Sequence, residues 1–304
     1  MNARVRAALV VGLVAVICIV VAAGVVWYRD RPISAAQLVR RMPRADALVL
    51  YIDFERLRQA GLVQLLDGSK AGEDPEYQAF ARKTDFHWAQ DLDAAVLGVS
   101  PAGKFIVARG RFDWKSLRSF AESENGSCYN TLCKLPGSTL DRHISFIPIQ
   151  SNLMGLAVSK DDGAATRLLG MMSGPDPEVP DAPFWLSIPA SLLRSDDLPE
   201  GTVSFARSIA GADRVVLSFV PEGGRLAAKL DVSCHSEADA LKIAQDLQQK
   251  TEILRSMIAH AHATPSPADL AGVLTSGTFQ VHGRKVAGYW PIERVFVETA
   301  LGAR

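Results

Sequence analysis

The chain has 304 residues, of which 33 are basic and 33 acidic, so its formal net charge is zero. A balanced charge gives no electrostatic footprint for nucleic acid, and the sequence has no acidic or basic block of the kind that forms a charged disordered tail. Hydrophobic residues make up 48% of the chain and charged residues 22%. These values are typical of a globular protein with a sizeable core.

The first predicted element is an uncleaved membrane anchor at residues 7–28, which follows a short basic tail at residues 1–6. The run carries no charged side chain, and a helix of about 20 apolar residues spans the hydrocarbon core of a bilayer. Trp27 and Tyr28 end the run and are predicted to lie at the membrane interface, where amphipathic rings prefer the headgroup zone. A cleavable signal peptide is the alternative, but its apolar core is shorter.

Two patterns bear on the orientation of the anchor, and they disagree. Arginines after the run, such as Arg29, Arg31 and Arg40, favour a cytoplasmic C-terminus by the positive-inside rule. A short basic tail before an apolar run, together with the cysteines discussed below, favours export. We therefore expect the C-terminal body to be extracytoplasmic, in the periplasm of a bacterial envelope.

Residues 29–44 are predicted to form a juxtamembrane stalk helix, and a first α+β half follows at residues 45–172. This half begins with a buried strand over 47–53, and Asp53 caps a helix that runs through Phe54, Leu57 and Gln59 and is broken by Gly61. The later elements are a helix over 75–83, a hairpin of 94–99 with 104–111, a helix capped by Asp113, the cysteine loop, a hairpin of 143–149 with 153–159, and a helix over 164–172.

The same order of elements recurs after a proline-rich linker at residues 173–182. In the second half, residues 183–304, Leu186 aligns with Leu50 and Ile188 with Ile52 at a constant offset. The predicted hairpins are 214–221 with 225–233 and 279–281 with 285–290, and the predicted helices cover 236–262 and begin at Pro267 and Pro291. Two similar halves of antiparallel hairpins, each with helices packed on one face, predict an α+β fold that arose by duplication.

The duplication predicts which side chains are buried. In the strand over 225–233, alternation places Leu230 inside and Lys229 towards solvent. The apolar side chains of the two aligned strands are also expected inside. They are Leu48, Leu50 and Ile52 in the first half and Phe184, Leu186 and Ile188 in the second.

Cys128 and Cys133 are candidates for a structural disulfide that closes a small polar loop. Structural disulfides persist in oxidising compartments, so this pair agrees with export. A redox or metal site is the alternative, but redox pairs are usually separated by two residues and a zinc site needs four ligands. Cys18 lies in the anchor, and Cys234 is expected to be a buried apolar residue.

We predict no catalytic, cofactor-binding or metal-ligating residue. The sequence lacks a nucleophile elbow, an HExxH motif, paired CxxC motifs and a complete phosphate loop. His260 and His262 are interpreted as solvated residues at a helix end, because residues two apart point to different faces of a helix. Asp141 and His143 are too close in sequence to Ser138 to favour a catalytic triad.

Two further interpretations stay open. The helix over 236–262 buries one face in the core or, alternatively, forms a coiled-coil dimer. Aromatic side chains near strand ends pack in the core or, alternatively, line a ligand pocket between the two halves. These side chains are Phe86, Trp88, Trp185 and Trp290, with the neighbouring His87.

Several segments together resemble a protein family. They are the anchor and residues 47–58 (ALVLYIDFERLR), 110–114 (GRFDW), 266–270 (SPADL) and 288–292 (GYWPI). Over most of the chain this pattern resembles uncharacterised bacterial single-pass membrane-anchored envelope proteins. The resemblance implies a location and an architecture but no reaction, because such a family has no assigned catalytic residues.

These patterns predict an envelope protein that binds or scaffolds without catalysis and without a cofactor. Its expected partners are the lipid bilayer, through residues 7–28, and an envelope protein or ligand, but no nucleic acid. The alternative is a hydrolase-like envelope enzyme with a site in a cleft between the halves. A deep pocket with convergent acid and base groups would favour the enzyme, and a shallow apolar patch would favour a binding surface.

Overall fold

The first strands of the two predicted halves pair with each other, so that both halves share one sheet in the computed structural model of the chain. The structure describes residues 33–43, 46–63, 75–137, 139, 141–170, 174–195, 198, 202–223, 225–262 and 264–301. Ala35–Arg304 form one compact unit. The predicted tail and anchor, with Trp27 and Tyr28, lie outside the described residues, and no described helix is long and apolar enough to cross a membrane.

The elements follow the predicted order along the chain. The first half contains α1 (Ala35–Val39), β1 (Leu48–Asp53), α2 (Phe54–Gln59), α3 (Pro75–Thr84), α4 (Trp88–Asp91), β2 (Leu92–Ser100), β3 (Gly103–Gly110), α5 (Trp114–Ser123), β4 (Ser127–Tyr129), β5 (Leu132–Pro136), β6 (His143–Gln150), β7 (Leu153–Ser159) and a 3₁₀ helix (Ala164–Leu168). The second half contains β8 (Phe184–Ile188), α6 (Ala190–Leu193), α7 (Val203–Ile209), β9 (Arg214–Glu222), β10 (Arg225–Ser233), α8 (Glu237–His260), α9 (Leu270–Thr275), β11 (Thr278–His282), β12 (Lys285–Ile292) and α10 (Arg294–Leu301).

The strand order confirms that the two halves have the same topology. The sheet has 12 strands in the order β11-β12-β10-β9-β8-β1-β2-β3-β7-β6-β5-β4. β1 and β8 form the central pair of the sheet. Outward from β1 the order is β2, β3, β7 and β6, and outward from β8 the equivalent strands follow in the order β9, β10, β12 and β11. Leu50 lies opposite Leu186, the residue with which it aligns in sequence, so an approximate two-fold axis passes through that pair. β5 and β4 extend the first half alone.

Local sequence signals account for the helix starts in the first half. The Asp53 carboxylate accepts a hydrogen bond from the Arg56 N–H at 2.9 Å, which caps α2 as predicted. Asp113 caps α5 in the same way through the N–H groups of Lys115 and Ser116. Gly103 has a φ of +134°, a conformation that glycine adopts at a tight turn, and it starts the second strand of the β2–β3 hairpin.

Several predicted boundaries in the second half are wrong. α9 is capped by Asp269, whose carboxylate accepts a hydrogen bond from the Gly272 N–H at 2.6 Å, so the helix does not begin at Pro267. Pro291 lies in β12, not at the start of a helix, and Ile292 is buried in the same strand. α7 (Val203–Ile209) was not predicted.

Two corrections concern the first half. The predicted helix over 164–172 is a shorter 3₁₀ helix that ends at Leu168, and the cysteine loop contains the β4–β5 hairpin. The predicted stalk helix is in part a piece of the body, since Leu38 of α1 and Met42 after it are fully buried.

Helices lie on both faces of the sheet, whereas one face was predicted. The helices α5 and α8 pack on the same face, where Leu117 and Phe146 belong to one hydrophobic cluster and Leu247 and Leu230 belong to another. The opposite face is covered in the first half by Met42, which contacts Gly98, and by Leu168, which contacts Gly155. We call the face under α5 and α8 the helix face.

The alternation predicted for β10 is confirmed in its main part. Leu230 and Val232 are buried under α8, and Asp231 is exposed while Lys229 is partly exposed. Ala227 is an exception, because it points away from the helix face and is nevertheless fully buried. In contrast, the apolar side chains of β1 and β8 that were expected to be buried are only partly buried, and this difference leads to the candidate site.

Candidate functional site

One row of apolar side chains crosses the sheet on the helix face. Because directly opposed residues of paired strands project to the same side, the register defines the row without gaps. From the first half to the second, the row reads Cys133, Phe146, Leu156, Ile106, Leu97, Leu50, Leu186, Leu217, Leu230, Gly288 and Phe279.

The row is covered at Cys133 and Phe146 on one side and at Leu230 and Gly288 on the other, and its centre is open. Phe146 and Leu230 are 7% and 5% exposed, whereas the side chains between them, from Leu156 to Leu217, are all partly exposed. On the opposite side of the same central strands, Val96 and Trp185 are 0% and 1% exposed. The central strands therefore bury large side chains on their other face, although Val49 and Ser187 on that face are also partly exposed.

The position of the helices explains the opening. α5 contacts β4 and β5 at one edge of the sheet, and α8 contacts β11 and β12 at the other. Each long helix follows the hairpin of its own half and covers the outer strands of that half. The strands nearest the two-fold axis are therefore left between the two helices.

We call this open region the central apolar face. The side chains that β1 and β8 direct to it are all apolar. Its members are Leu48, Leu50, Ile52, Leu97, Val99, Ile106, Leu156, Val158, Phe184, Leu186 and Leu217.

A groove of about 380 Å³ lies between the two halves at one end of this face. Leu48 and Val99 line it from the first half, and Pro189 and Leu192 from the second. The Ser191 hydroxyl donates a hydrogen bond to the Asp46 carboxylate at 3.0 Å and so links the halves. The described part of the lining contains no histidine or lysine, so the groove does not form the serine–histidine or serine–lysine pair of common acyl-transfer sites.

The predicted aromatic residues do not line this groove. Trp185 is buried on the opposite face, where it stacks on Tyr51 with ring centroids 5.6 Å apart. Trp290 is buried in the second-half core, edge-on to Phe279 at 5.4 Å. Trp88 packs against Phe54 in the first half. Core packing is therefore the correct interpretation for Trp185 and Trp290, whereas Trp88 is partly buried at the edge of the first half.

Phe86 and His87 lie near a separate cavity of about 540 Å³ beside α3. Tyr77, Arg82, Asp85 and His87 contribute polar groups to its lining, while Phe86 packs away from it against Phe80 at 5.8 Å. His87 Nε2 lies 3.7 Å from Asp85 Oδ1, but the His87 side chain is 53% exposed and the Asp85 side chain fully so. Solvent screens such a pair, so the geometry gives a surface ion pair and no buried acid–base dyad.

A polar cluster around the buried Tyr51 and Arg109 lies on the opposite face of the sheet. The Tyr51 hydroxyl donates to the Asp53 carboxylate at 3.3 Å, and burial, followed by the Asp53 charge, raises the pKa of Tyr51. Arg109 is 9% exposed and lies 3.8 Å from Asp93 and 3.9 Å from Glu55. Since Asp53 also caps α2, this cluster joins β1, β2 and β3 to that helix. We interpret it as a polar network that stabilises the fold.

The predicted cysteine pair is present as a disulfide. Cys128 and Cys133 are directly opposite each other in the β4–β5 hairpin and are bonded to each other. Cys234 is a free, buried cysteine whose thiol pKa is raised by burial. His260 is exposed at the end of α8, where its Nδ1 lies 2.8 Å from the Ser256 carbonyl. No metal-ligating cluster occurs among the described residues.

The central apolar face was missed by sequence reasoning, although the sequence contains a signal for it. β1 reads LVLYID, which is apolar on both faces over most of its length. Such a run predicts a strand in the middle of a sheet. It does not say whether both sides are covered, because coverage depends on where the helices of other segments pack.

Comparisons with known proteins show a fold but no family. No family model and no curated protein matches the sequence. Among solved structures, crystal form III of TP0453 is similar over 88% of this chain and 99% of that chain, with 12% identity and a TM-score of 0.50. Crystal form I of TP0453 is similar over 90% of this chain and 98% of that chain, with 12% identity and a TM-score of 0.49. At this identity the likeness extends to the α+β architecture with its large antiparallel sheet and to nothing further.

Proposed function

We propose that this protein is a membrane-anchored extracytoplasmic binding or scaffolding protein whose binding surface is the central apolar face. The observation that carries the proposal is the row of partly exposed apolar side chains from Leu156 to Leu217. Soluble proteins rarely leave a contiguous apolar patch open, and such patches mark sites for partners or apolar ligands.

The shape of this surface favours binding over catalysis. The face is broad and apolar at its centre, with the exposed Lys104 between Val99 and Val158 at its margin. The groove at its end holds Asp46 and Ser191 bonded to each other. An enzyme site of hydrolase type needs a nucleophile, a base and an oxyanion donor around one reacting atom. The described lining of the groove offers a serine hydroxyl bonded to a carboxylate, with no histidine or lysine beside it.

The proposed location rests on one feature of the sequence and one of the structure. Residues 7–28 form an apolar run long enough to span a bilayer. The Cys128–Cys133 disulfide is a bond of the kind that persists outside the cytoplasm. Carbonate washing of membranes should leave the protein in the pellet, and protease added to spheroplasts should digest the body. Release of a shortened chain, or full protection of the body, would contradict the proposed location.

The binding role can be tested by site-specific photo-crosslinking in cells. A benzophenone side chain would replace Leu97 or Leu217, which are related by the two-fold axis and lie on either side of it. The control position is Gln249, an exposed residue on the solvent side of α8. We expect adducts from both test positions and none from the control.

The identity of the crosslinked molecule distinguishes a protein-binding role from a ligand-binding role. A protein adduct would indicate a scaffold, and a lipid adduct would indicate an apolar ligand. If neither test position gives more adduct than Gln249 in the intact envelope, the central apolar face is not a binding surface.

A further inference from the structure

We propose that the chain carries a second binding site, for a small anion with an apolar or aromatic body, between α5 and the disulfide-bonded β4–β5 hairpin. The site is a cavity of about 370 Å³ at the outer end of the helix face. It uses none of the residues of the central apolar face. Its volume falls in the range of small-molecule pockets, about 300–1,000 Å³.

The floor of this cavity is apolar and well fixed. Phe146 and Cys133 are cross-strand neighbours that are 7% and 3% exposed, and Pro148 continues the floor. Trp114 forms a wall, and its indole N–H donates to the Ser151 carbonyl at 3.0 Å. Since this bond satisfies the only polar atom of the indole, the ring presents a purely apolar surface to the cavity.

The rim of the cavity carries two cations that make no close ion pair, although Asp113 attracts Lys115 at longer range. Lys115 and Arg118 are one turn apart on α5 and both are exposed. Among the described residues, no carboxylate lies within ion-pair distance of either side chain. The Arg118 guanidinium donates to the Asn130 carbonyl on the hairpin, which holds it across the mouth of the cavity.

The acid nearest to Lys115 in sequence is Asp113, and its carboxylate is already hydrogen-bonded. The Asp113 carboxylate accepts hydrogen bonds from the Ser116 hydroxyl at 2.8 Å and from the N–H groups of Lys115 and Ser116. The first N–H groups of α5 are thereby capped, so a bound anion would be recognised by the Lys115 and Arg118 side chains and not by the helix end. A carboxylate or phosphate suits these donors, and an arginine can bind either through two parallel N–H bonds.

The combination of floor and rim defines the ligand class. A free inorganic anion would leave the apolar floor uncovered, and a neutral apolar molecule would leave the two cations unpaired. The described lining contains no carboxylate that would repel an anion. The ligand is therefore a small organic carboxylate or phosphate with its apolar part on Phe146 and its charge between Lys115 and Arg118.

Equilibrium dialysis of the full chain in lipid nanodiscs, with empty nanodiscs as the blank, would test this site with 2-naphthoate as the probe. We expect saturable binding of about one probe per chain. The double variant K115Q/R118Q should weaken it about tenfold or more, because both charge-assisted bonds are lost. T131W should abolish it by filling the cavity from the hairpin, since Thr131 lines the wall. The matched control is K160Q/K242Q, which removes two exposed charges elsewhere.

Two comparison probes separate this site from other modes of binding. Inorganic phosphate should not compete with 2-naphthoate at equal concentration, and neutral 2-naphthalenemethanol should show no loss on the K115Q/R118Q change. The proposal fails if 2-naphthoate binding is not saturable, if K160Q/K242Q weakens it as much as K115Q/R118Q does, or if T131W leaves it unchanged while the variant retains the native circular dichroism spectrum.

Discussion

A single position on β10 shows how closely stability follows the face of the sheet. Leu230 is 5% exposed and lies between Leu217 and Gly288 under α8. Leu230→Asp should destabilise the body by at least about 3 kcal/mol, because it buries a charge that has no partner. Denaturant unfolding of the full chain in nanodiscs, followed by near-ultraviolet circular dichroism, would measure the change.

The neighbouring residue supplies the matched control for Leu230→Asp. Lys229 is partly exposed and lies 2.8 Å from Glu222. Lys229→Asp replaces one exposed attraction with a repulsion, so it should change stability by no more than about 1 kcal/mol. Equal losses at the two positions would contradict the assignment of faces on β10.

The same ion pair makes a prediction about pH. Hydrogen bonds from Lys229 and then from Tyr289 lower the pKa of Glu222 below its usual value. A lowered pKa contributes stability that is present above the unfolded-state pKa and is lost as the pH falls through the folded-state value. Carbon-detected NMR titration of the Glu222 carboxyl should show a low pKa in the wild type and a higher one in Tyr289→Phe. An identical value in both would mean that the 3.0 Å hydrogen bond from Tyr289 has no influence.

Some residues could be placed from the sequence and others could not, for physical reasons. The inward direction of Leu230 follows from alternation with charged neighbours in one strand. The partial exposure of Leu50 and Leu186 does not, because their strands are apolar on both sides. Pro291 read as a helix start, but it lies in β12 beyond the pairing with β11, which ends at Tyr289. With a paired neighbour on one side only, the strand tolerates a residue without an N–H donor.

Among the elements, the β4–β5 hairpin depends on its disulfide. The bond joins directly opposed residues, Cys128 and Cys133, at the edge of the sheet. Cys128→Ser should reduce stability by about 2 kcal/mol, since the open hairpin gains freedom in the unfolded chain. Mass spectrometry of denatured, unreduced protein should find alkylation at Cys234 but at neither hairpin cysteine. Labelling of Cys128 and Cys133 without a reductant would show that the bond is absent in the native protein.

The described part of the linker is held to the body by its acidic side chains. Asp176 lies 3.0 Å from Arg40, which follows α1, and Asp181 lies 2.7 Å from Arg56 on α2. Glu178 lies 3.6 Å from Arg214 on β9 and 3.6 Å from Lys285 on β12. The sequence indicated a proline-rich spacer, but it gave no sign that each acid would meet a base on a different element.

Removing these charges should loosen the linker without unfolding the body. Exposed ion pairs each contribute no more than about 1 kcal/mol and are screened by salt. The triple change D176N/E178Q/D181N should therefore increase proteolytic cleavage within residues 174–183, and high salt should do the same to the wild type. Asp162→Asn, which removes an ion pair with Lys134 elsewhere, is the control. Cleavage that is the same in the triple variant and the wild type would show that the ion pairs do not hold the segment.

At the scale of the whole molecule, two halves of the same strand order join into one sheet. Matched hairpins predicted the shared strand order, because each hairpin is a local unit with its own turn. The pairing of β1 with β8 was not predicted, since it joins residues distant in sequence and depends on both halves being folded. The open central apolar face follows from that pairing, because each long helix covers only the outer strands of its own half.

This arrangement predicts that the two halves unfold together. The seam between them is internal: β1 and β8 each pair on both sides, and Tyr51 stacks on the fully buried Trp185 across it. Loss of the second half would expose this seam and one whole edge of the first half, so neither half should remain folded when the other opens.

Leu230→Ala would leave a cavity in the second half that costs about 2–5 kcal/mol. The substitution should then accelerate global hydrogen exchange in β2 and β3 as much as in β9 and β10. Mass spectrometry of the exchanged peptides would measure both sets, with Lys229→Ala as the control that leaves both unchanged. Full retention of protection in β2 and β3 while β9 and β10 lose theirs would show instead that the halves behave as independent cooperative units.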